Sequence, residues 1–136
     1  MTITAFDADV LIYAADESHP HRSPVVAHLI DPTTRAIGSL LLLAEVLTKP
    51  VQEDPRSSKV AELREILGRV SLQPLDEHTA NLAVQLGAVY RLRAADATHL
   101  ATAVAADADQ FLTNNRKDFP KTIAEIDVIY PEDLVN

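Results

Sequence analysis

The sequence predicts an α/β fold, a three-layer α/β/α sandwich around a central parallel sheet of four to five strands. Short apolar segments alternate along the chain with segments of helical periodicity, and this alternation is typical of a parallel sheet covered on both faces. The chain has 136 residues, of which 47% are hydrophobic, enough for one sizeable core. A single domain over residues 1–136 is therefore expected.

The first third of the chain predicts one strand and two helices. Residues 3–8 (ITAFDA) form a short apolar run that predicts a buried strand. Residues 10–15 predict a helix with Asp9 at its N-cap. The polar segment DESHPHRSP, with its two prolines, predicts a loop. Residues 24–30 then predict a second helix, with Pro24 near its start.

The middle of the chain predicts a second strand and two more helices. AIGS, at residues 36–39, is short and mostly apolar and predicts the strand. Residues 40–48 predict a short buried helix closed by Pro50, since proline disrupts a helix interior. Residues 57–69 carry a helical apolar pattern and predict a helix that Gly68 helps to end.

The last half of the chain predicts three strands and two helices. The strands are predicted at residues 70–75, 110–113 and 127–130, and a helix is predicted over residues 77–91. The clearest helix is predicted over residues 94–109 (AADATHLATAVAADAD), where small apolar residues recur at spacings of three and four. So many alanines on one face indicate that another element packs very close to it.

Composition narrows the function classes. The chain has no Cys, so neither a disulfide framework nor a thiolate metal site is expected. Its 12 basic and 20 acidic residues give a net charge of −8, which argues against a broad basic surface for nucleic acid but not against a nucleic-acid enzyme. With three Phe and three Tyr, a base-stacking platform is not expected. The longest apolar run is too short to span a bilayer, and a cytoplasmic protein without a signal peptide is expected.

Four acidic residues are the main candidates for chemistry. Ligands of open α/β sheets bind beyond the carboxyl ends of the strands. Asp7 ends the first predicted strand, Asp96 lies at or just before the start of the alanine-rich helix, and Asp118 follows the fourth strand. Glu45 lies in a helix that is apolar on nearly every side, where an unpaired carboxylate would be costly. Supporting polar residues near the same strand ends are Asp9, Thr113, Asn114 and Asn115.

Some of these polar residues also fit a purely structural role. Glu45 could face solvent, and Asp9 and Asp96 could merely cap helices. His99, one turn after Asp96, is more typical of a packed histidine than of a ligand. The remaining histidines lack metal-ligand spacing and are expected at the surface: His19, His21, His28 and His78. Asp107 and Asp109 are expected in a solvated turn.

Carboxylates without Cys or paired His favour a hard cation bound by oxygen, such as Mg²⁺ or Mn²⁺. Such an ion lowers the pKa of bound water and neutralises charge on a phosphate, which suits phosphodiester cleavage. In this hypothesis Asp7 and Asp96 hold the ion. Glu45 and Asp118 bind a second ion or orient the attacking water.

Several segments resemble the motifs of PIN-domain ribonucleases over nearly the whole chain. FDADVLIYA resembles the first motif, LLLLAEVLTKP resembles the second, and LRAADATHLATAVAADADQFLTNNRKDF is similar to the third and fourth together. By this resemblance Asp7, Glu45 and Asp96 occupy three acidic positions of the family. The fourth is Asp118 or the position of Asn115, and Asp118 is favoured. Asp9 and Thr113 would help to position the site by hydrogen bonds.

Small bacterial members of that family are mostly VapC-type toxins of toxin–antitoxin pairs. The resemblance therefore implies endonucleolytic cleavage of RNA with Mg²⁺, a homodimer, and inhibition by a small antitoxin. The acidic net charge then favours RNA recognition by a few local basic residues. The candidates are Arg22, Arg93, Arg116 and Lys117.

Two alternatives stay open at the level of sequence. Asp-x-Asp after a first strand also resembles haloacid dehalogenase-type phosphatases, in which the first Asp is the nucleophile. Val10 and Leu11 do not match the residues that usually follow in that group, and Glu45 would have no role. The other alternative is a PIN-like protein-binding module with a degraded site, for which the neutral Asn115 is the support.

Overall fold

Five parallel strands and six α-helices form a three-layer α/β/α sandwich in a computed structural model, which describes residues 1–134. The predicted fold class is confirmed. The strands are β1 (Thr2–Phe6), β2 (Thr34–Ser39), β3 (Ser71–Gln73), β4 (Gln110–Leu112) and β5 (Asp127–Ile129). The helices are α1 (Ala8–Ala14), α2 (Arg22–Ile30), α3 (Leu42–Glu53), α4 (Ser58–Leu67), α5 (Glu77–Tyr90) and α6 (Ala94–Ala105), followed by a 3-10 turn (Pro131–Leu134). None of the helices within residues 1–134 has the length and apolarity to cross a membrane.

The core lies on both faces of the sheet. Successive residues of a strand point to opposite faces, and Ala5 and Phe6 of β1 accordingly belong to two different apolar clusters. The cluster around Phe6 includes Val10 of α1 and Leu42 of α3. The cluster around Ala5 includes Ile37 of β2, and most of its other members come from the second half of the chain, among them Leu100 of α6 and Phe111 of β4. The sheet is therefore covered from both sides, as the short apolar segments predict.

The strand order β3-β2-β1-β4-β5 reverses direction at β1. Chain order runs outward from β1 through β2 to β3 on one side, and β4 and β5 lie on the other. In such sheets the crevice beyond the carboxyl ends of the strands at the reversal is the usual ligand site. Asp7 follows β1 directly, and its backbone N–H donates to the carbonyl of Leu112 at 3.0 Å. Asp7 therefore lies beside Thr113, the first residue after β4.

Helix α3 approaches β2 very closely. A Cβ atom at Gly38 would lie 2.4 Å from Cδ1 of the fully buried Leu42, so the strand has glycine there because α3 occupies the space. Ser39, the last residue of β2, accepts a hydrogen bond from the backbone N–H of Leu41 at 3.1 Å. These contacts fix the first turn of α3, which carries Glu45.

The helix boundaries differ from prediction at three functional positions. Strand β1 ends at Phe6 rather than at residue 8, and α1 begins at Ala8, so the N-cap is Asp7 and not Asp9. The reason is local: Asp7 has extended backbone angles (φ −81°, ψ 163°), whereas Asp9 lies in the first helical turn. Asp96 is the third residue of α6 and the N-cap is Arg93, so the interpretation of Asp96 as a helix cap is wrong.

The prediction that Pro50 ends the third helix is wrong. Helix α3 continues past Pro50 to Glu53. A proline inside a helix removes one backbone donor, yet the carbonyl of Pro50 still accepts from the N–H of Asp54 at 3.0 Å. Three of the four histidines predicted at the surface, His19, His21 and His28, are partly buried. His28 shares a hydrogen bond of 2.8 Å with the hydroxyl of Thr4, and the His19 ring stacks on Tyr13 with centroids 3.7 Å apart.

Candidate active site

Asp7 is held rigidly at the start of α1. Its side chain is buried, with the residue 6% exposed. Oδ1 accepts from the N–H of Ala8 at 2.8 Å, and Oδ2 accepts from the hydroxyl of Thr113 at 2.7 Å. Burial raises the pKa of Asp7, although these hydrogen bonds and the nearby His99 act in the opposite direction. Asp7 is therefore in direct contact with the turn after β4.

Asp9 projects into the same crevice from the first turn of α1. Its Oδ1 accepts from the N–H of Val10 at 2.7 Å and its Oδ2 from the N–H of Asn114 at 3.0 Å. Burial and the charge of Asp7 raise the pKa of Asp9 to about 7. Asn114 also donates from its side chain to the Tyr13 hydroxyl at 3.1 Å. Asn114 thus ties α1 to the turn after β4 through two contacts.

Asp96 and Asp118 extend the acidic cluster. The pKa of Asp96 is raised first by burial and then by the charges of Asp7 and Asp118, so both of these carboxyl groups lie close enough to Asp96 to repel its negative charge. The side-chain amide of Asn115 donates to Oδ2 of Asp118 at 3.1 Å. The backbone N–H of Asn115 donates to the Thr113 hydroxyl at 3.0 Å. Asn115 therefore orients Asp118 and does not itself supply a charge.

Glu45 has a partner that the sequence does not indicate. Its Oε1 accepts a hydrogen bond from Nε2 of His99, and the two side chains are 33% and 1% exposed, respectively. This bond lowers the pKa of Glu45, which favours an ionised carboxylate as the acceptor and an Nε2–H group as the donor. Burial alone would lower the pKa of His99, but the Glu45 bond and the charges of Asp7, Glu45 and Asp96 outweigh burial and raise it.

The donor chemistry of the site fits a hard divalent cation. Among residues 1–134, no Lys or Arg forms an ion pair with Asp7, Asp9, Glu45, Asp96 or Asp118. The raised pKa values of Asp7, Asp9 and Asp96 have burial as their first cause, and repulsion from neighbouring carboxylates adds to it, while the charge of His99 lowers the pKa values of Asp7 and Asp96. Oxygen donors of this kind are those that Mg²⁺ and Mn²⁺ prefer. Over the same residues, no three acidic or histidine side chains already stand in a geometry that could hold a metal ion.

The predicted RNA-contacting basic residues separate into two groups. Arg116 is engaged by Glu132 and by the Asn114 side chain at 3.1 Å, and it lies 4.5 Å above the Tyr130 ring. Arg22 lines a different pocket together with Glu62 and other residues of α2 and α4. The two remaining candidates are exposed and adjoin acidic residues of the site in sequence: Arg93 at the N-cap of α6 and Lys117 next to Asp118.

Comparisons with known proteins agree with this architecture. A toxin–antitoxin complex from Klebsiella pneumoniae contains a chain that is 23% identical, with a TM-score of 0.73 and coverage of 94% of this chain and 97% of that chain. VapBC2 from Rickettsia felis, bound to a DNA fragment from its promoter, matches at 16% identity, TM-score 0.76 and coverage of 95% and 98%. VapBC-1 from nontypeable Haemophilus influenzae matches at 16% identity, TM-score 0.73 and coverage of 96% and 99%. At these identities the likeness demonstrates a common fold.

The family of the chain is identified from its sequence. A search of curated proteins finds no match. In a comparison with protein families, residues 5–124 match the PIN domain. That span runs from β1 through the turn after β4 and includes the five acidic residues of the candidate site, Asp7, Asp9, Glu45, Asp96 and Asp118. The chain belongs to the PIN-domain family.

Proposed function

We propose that the protein is a Mg²⁺-dependent endoribonuclease, with Mn²⁺ able to substitute, that cleaves RNA by attack of an activated water. The observation that carries the proposal is the crowding of ionisable carboxyl groups at the strand-order reversal of a PIN-family sheet. The site offers oxygen donors and no Lys or Arg partner within the described chain. Such a site suits a cation-assisted reaction on a phosphate ester.

Each acidic residue has a distinct proposed task. Asp7 and Asp96 would hold the ion, because both are carboxyl groups with raised pKa values whose charges repel each other in its absence. A bound Mg²⁺ would lower the pKa of a water molecule and offset charge on the scissile phosphate. Glu45 and Asp118, at the edge of the cluster, would orient the attacking water or bind a second ion. Thr113, Asn114 and Asn115 would keep Asp7, Asp9 and Asp118 in place through their hydrogen bonds.

The biological setting proposed is that of a VapC-type toxin in the cytoplasm, a homodimer inhibited by a small antitoxin protein. The similar structures from Klebsiella, Rickettsia and Haemophilus are toxin–antitoxin complexes or VapBC proteins. A groove of about 390 Å³ has an apolar floor of Ile12, Val46, Pro50 and Leu63 and charged residues around it, namely Asp16, Glu45, Lys49 and Lys59. An antitoxin segment with an apolar face and charged flanks would fit this groove. Copurification with the product of the adjacent gene and light scattering of the purified protein test the two assemblies.

The two alternative functions, a phosphatase and a catalytically degraded binding module, are not equally supported. Membership of the PIN family removes the support for a haloacid dehalogenase-like phosphatase. Asp7 would also be a poor nucleophile, since both of its oxygens accept hydrogen bonds. A catalytically degraded PIN-like binding module is the competing proposal, and metal binding distinguishes it from the nuclease.

The variant Asp7→Asn tests the proposal. It should abolish Mn²⁺-dependent cleavage of RNA and weaken Mn²⁺ binding in calorimetry, because the amide has no charge to offer the ion. The variant should stay folded, since removing one of several repelling carboxylates relieves strain in the ion-free protein. A melting temperature equal to or above that of the parent protein verifies this.

Asp31→Asn is the matched control, because Asp31 is an exposed residue in the turn before β2. It should leave RNA cleavage and Mn²⁺ binding unchanged. Full Mn²⁺-dependent activity in Asp7→Asn would refute the assignment of Asp7. Absence of Mn²⁺ binding and of RNA cleavage in the unaltered protein would favour the degraded binding module.

A further inference from the structure

We infer that His99 is a positioning residue of the active site, which fixes the carboxylate of Glu45 through a hydrogen bond from Nε2. The inference deepens the proposed ribonuclease function and rests on it. It assigns the buried imidazole a task in the reaction geometry and not in the packing of α6.

His99 and Glu45 are in direct contact although they lie on different helices. His99 lies three residues after Asp96 on α6, so both project from the same face of that helix. Glu45 reaches the imidazole from the first turn of α3, on a different part of the chain. The bond therefore connects the two helices that carry Asp96 and Glu45. Because His99 and Asp96 lie on the same helix, the hydrogen bond from His99 also sets the distance between Glu45 and Asp96.

The surroundings of Nδ1, the other ring nitrogen of His99, favour a positioning role over a purely structural one. Nδ1 of His99 is buried and finds no hydrogen-bond partner within residues 1–134. A histidine kept for packing would normally satisfy both nitrogens, because buried polar atoms without partners are costly. His99 is surrounded on α6 by buried Ala, Leu and Thr residues, where an apolar side chain would avoid that cost. The bond to Glu45 is the contact that requires an imidazole.

Glu45 needs such a restraint. Its side chain is 33% exposed, and among residues 1–134 His99 is the only hydrogen-bond or ion-pair partner of its carboxylate. Without His99 the carboxylate would sample several rotamers at the edge of the cluster. Small errors in the placement of a catalytic group reduce rates severely.

Two amide variants test the position of the donor. In His99→Gln the amide nitrogen extends about as far as Nε2 and can still donate to Glu45. In His99→Asn the amide reaches only the place of Nδ1. We expect His99→Gln to retain most of kcat at saturating Mn²⁺ and His99→Asn to lose roughly 10- to 100-fold. In a Glu45→Ala background the same two substitutions should have equal and negligible effects on kcat.

A measurement without RNA or metal completes the test. The free energies of unfolding of His99→Asn, Glu45→Ala and the double variant should be non-additive, since both single changes break one contact. If His99→Asn fails to fold, His99→Leu replaces it, because Leu fills space and donates nothing.

The inference is overturned if His99→Asn matches the parent kcat, if His99→Gln loses as much as His99→Asn, or if the unfolding free energies add. Asp7→Asn, assayed alongside, keeps the two hypotheses apart. Undiminished cleavage by Asp7→Asn counts against the ribonuclease site, whereas its inactivity together with an active His99→Asn counts against the positioning role alone.

Discussion

Three uncharged residues after β4 organise the charged ones. Thr113, Asn114 and Asn115 each hold a different acidic residue, namely Asp7, Asp9 and Asp118. The turn therefore acts as a frame that sets the spacing of carboxyl groups from separate parts of the chain. The frame matters for identifying the fourth acidic position, for which the sequence leaves both Asp118 and Asn115 open.

Replacing Asp118 and Asn115 by alanine, one at a time, should show which of the two contributes more to RNA cleavage. Asp118→Ala removes a charge that acts on Asp96, whereas Asn115→Ala removes only a hydrogen bond that orients Asp118. We expect kcat for RNA cleavage to fall by about 100-fold or more in Asp118→Ala and by about tenfold in Asn115→Ala. Single-turnover cleavage at saturating Mn²⁺ measures both. The opposite ranking would place the fourth position at Asn115.

The candidate residues differ in how readily the sequence reveals them. Asp7 and Glu45 are prominent because each interrupts an apolar run, where a charge has no evident structural use. His99 resembles a packed histidine because one sequence does not indicate its partner, which is 54 residues away. Its spacing of three from Asp96 places it on the same helical face, and that spacing is the signal the sequence offers. Whether these residues act in catalysis stays a prediction until variants are assayed.

At the level of elements, the junction of β2 and α3 determines where Glu45 stands. Gly38 permits α3 to lie against the strand, and Ser39 holds the N–H of Leu41 at the start of the helix. A larger residue at position 38 would displace the buried Leu42 and with it the first turn of α3. The position of Glu45 is thus set by residues that carry no charge.

The substitution Gly38→Ala should lower the free energy of unfolding by about 1–3 kcal/mol, the usual cost of overpacking a core. The physical reason is the 2.4 Å approach of an added Cβ to Leu42 Cδ1. Chemical denaturation measures the effect. Gly68→Ala is the matched control, because Gly68 is exposed and has φ −64°, which alanine adopts readily, so its effect should stay within about 0.5–1 kcal/mol. Equal stability of Gly38→Ala and the parent would contradict the close packing.

Element types follow from the sequence more reliably than element ends. The periodic segments form α4, α5 and α6, and a Cβ at Gly87 of α5 would lie 3.3 Å from Ala97, as the alanine-rich face of α6 predicts. The ends depend on single backbone angles that periodicity does not encode. Asp7 rather than Asp9 adopts the extended N-cap conformation, and α3 continues past Pro50.

For the whole molecule, the net charge of −8 is less informative than the place where acidic groups are crowded. Asp7, Asp9 and Asp96 all have raised pKa values, with burial as the first cause and mutual repulsion among the others. A carboxyl group whose pKa is higher in the folded state binds protons more tightly there than in the unfolded chain. Deprotonation of the cluster therefore opposes folding.

The stability of the metal-free protein should fall as pH rises from about 4 to about 7. The lower limit is the ordinary pKa of Asp, 3.8, and the upper limit is the pKa of Asp9, about 7. Between them the native state holds more protons than the unfolded state, so the free energy of unfolding decreases with pH. Each pKa unit corresponds to about 1.4 kcal/mol, so a loss of a few kcal/mol is expected. The lowered pKa of Glu45 acts in the opposite direction near the acidic end, whereas the raised pKa of His99 adds to the fall above pH 6.5, its ordinary pKa.

Chemical denaturation at a series of pH values measures how the free energy of unfolding changes with pH. A bound metal ion and two variants then identify which carboxyl groups cause the change. Saturating Mg²⁺ or Mn²⁺ should flatten the fall, because a cation bound by the native cluster stabilises its deprotonated form. Asp9→Asn should also make the slope shallower, since the amide does not titrate. Asp31→Asn should leave the fall in place, because the pKa of this exposed carboxyl is lowered by hydrogen bonds from Thr33 and not raised. A metal-free protein whose stability is constant or rises over this range would show that the carboxyl groups at the strand ends do not repel one another, and the reason for expecting a cation among them would be lost.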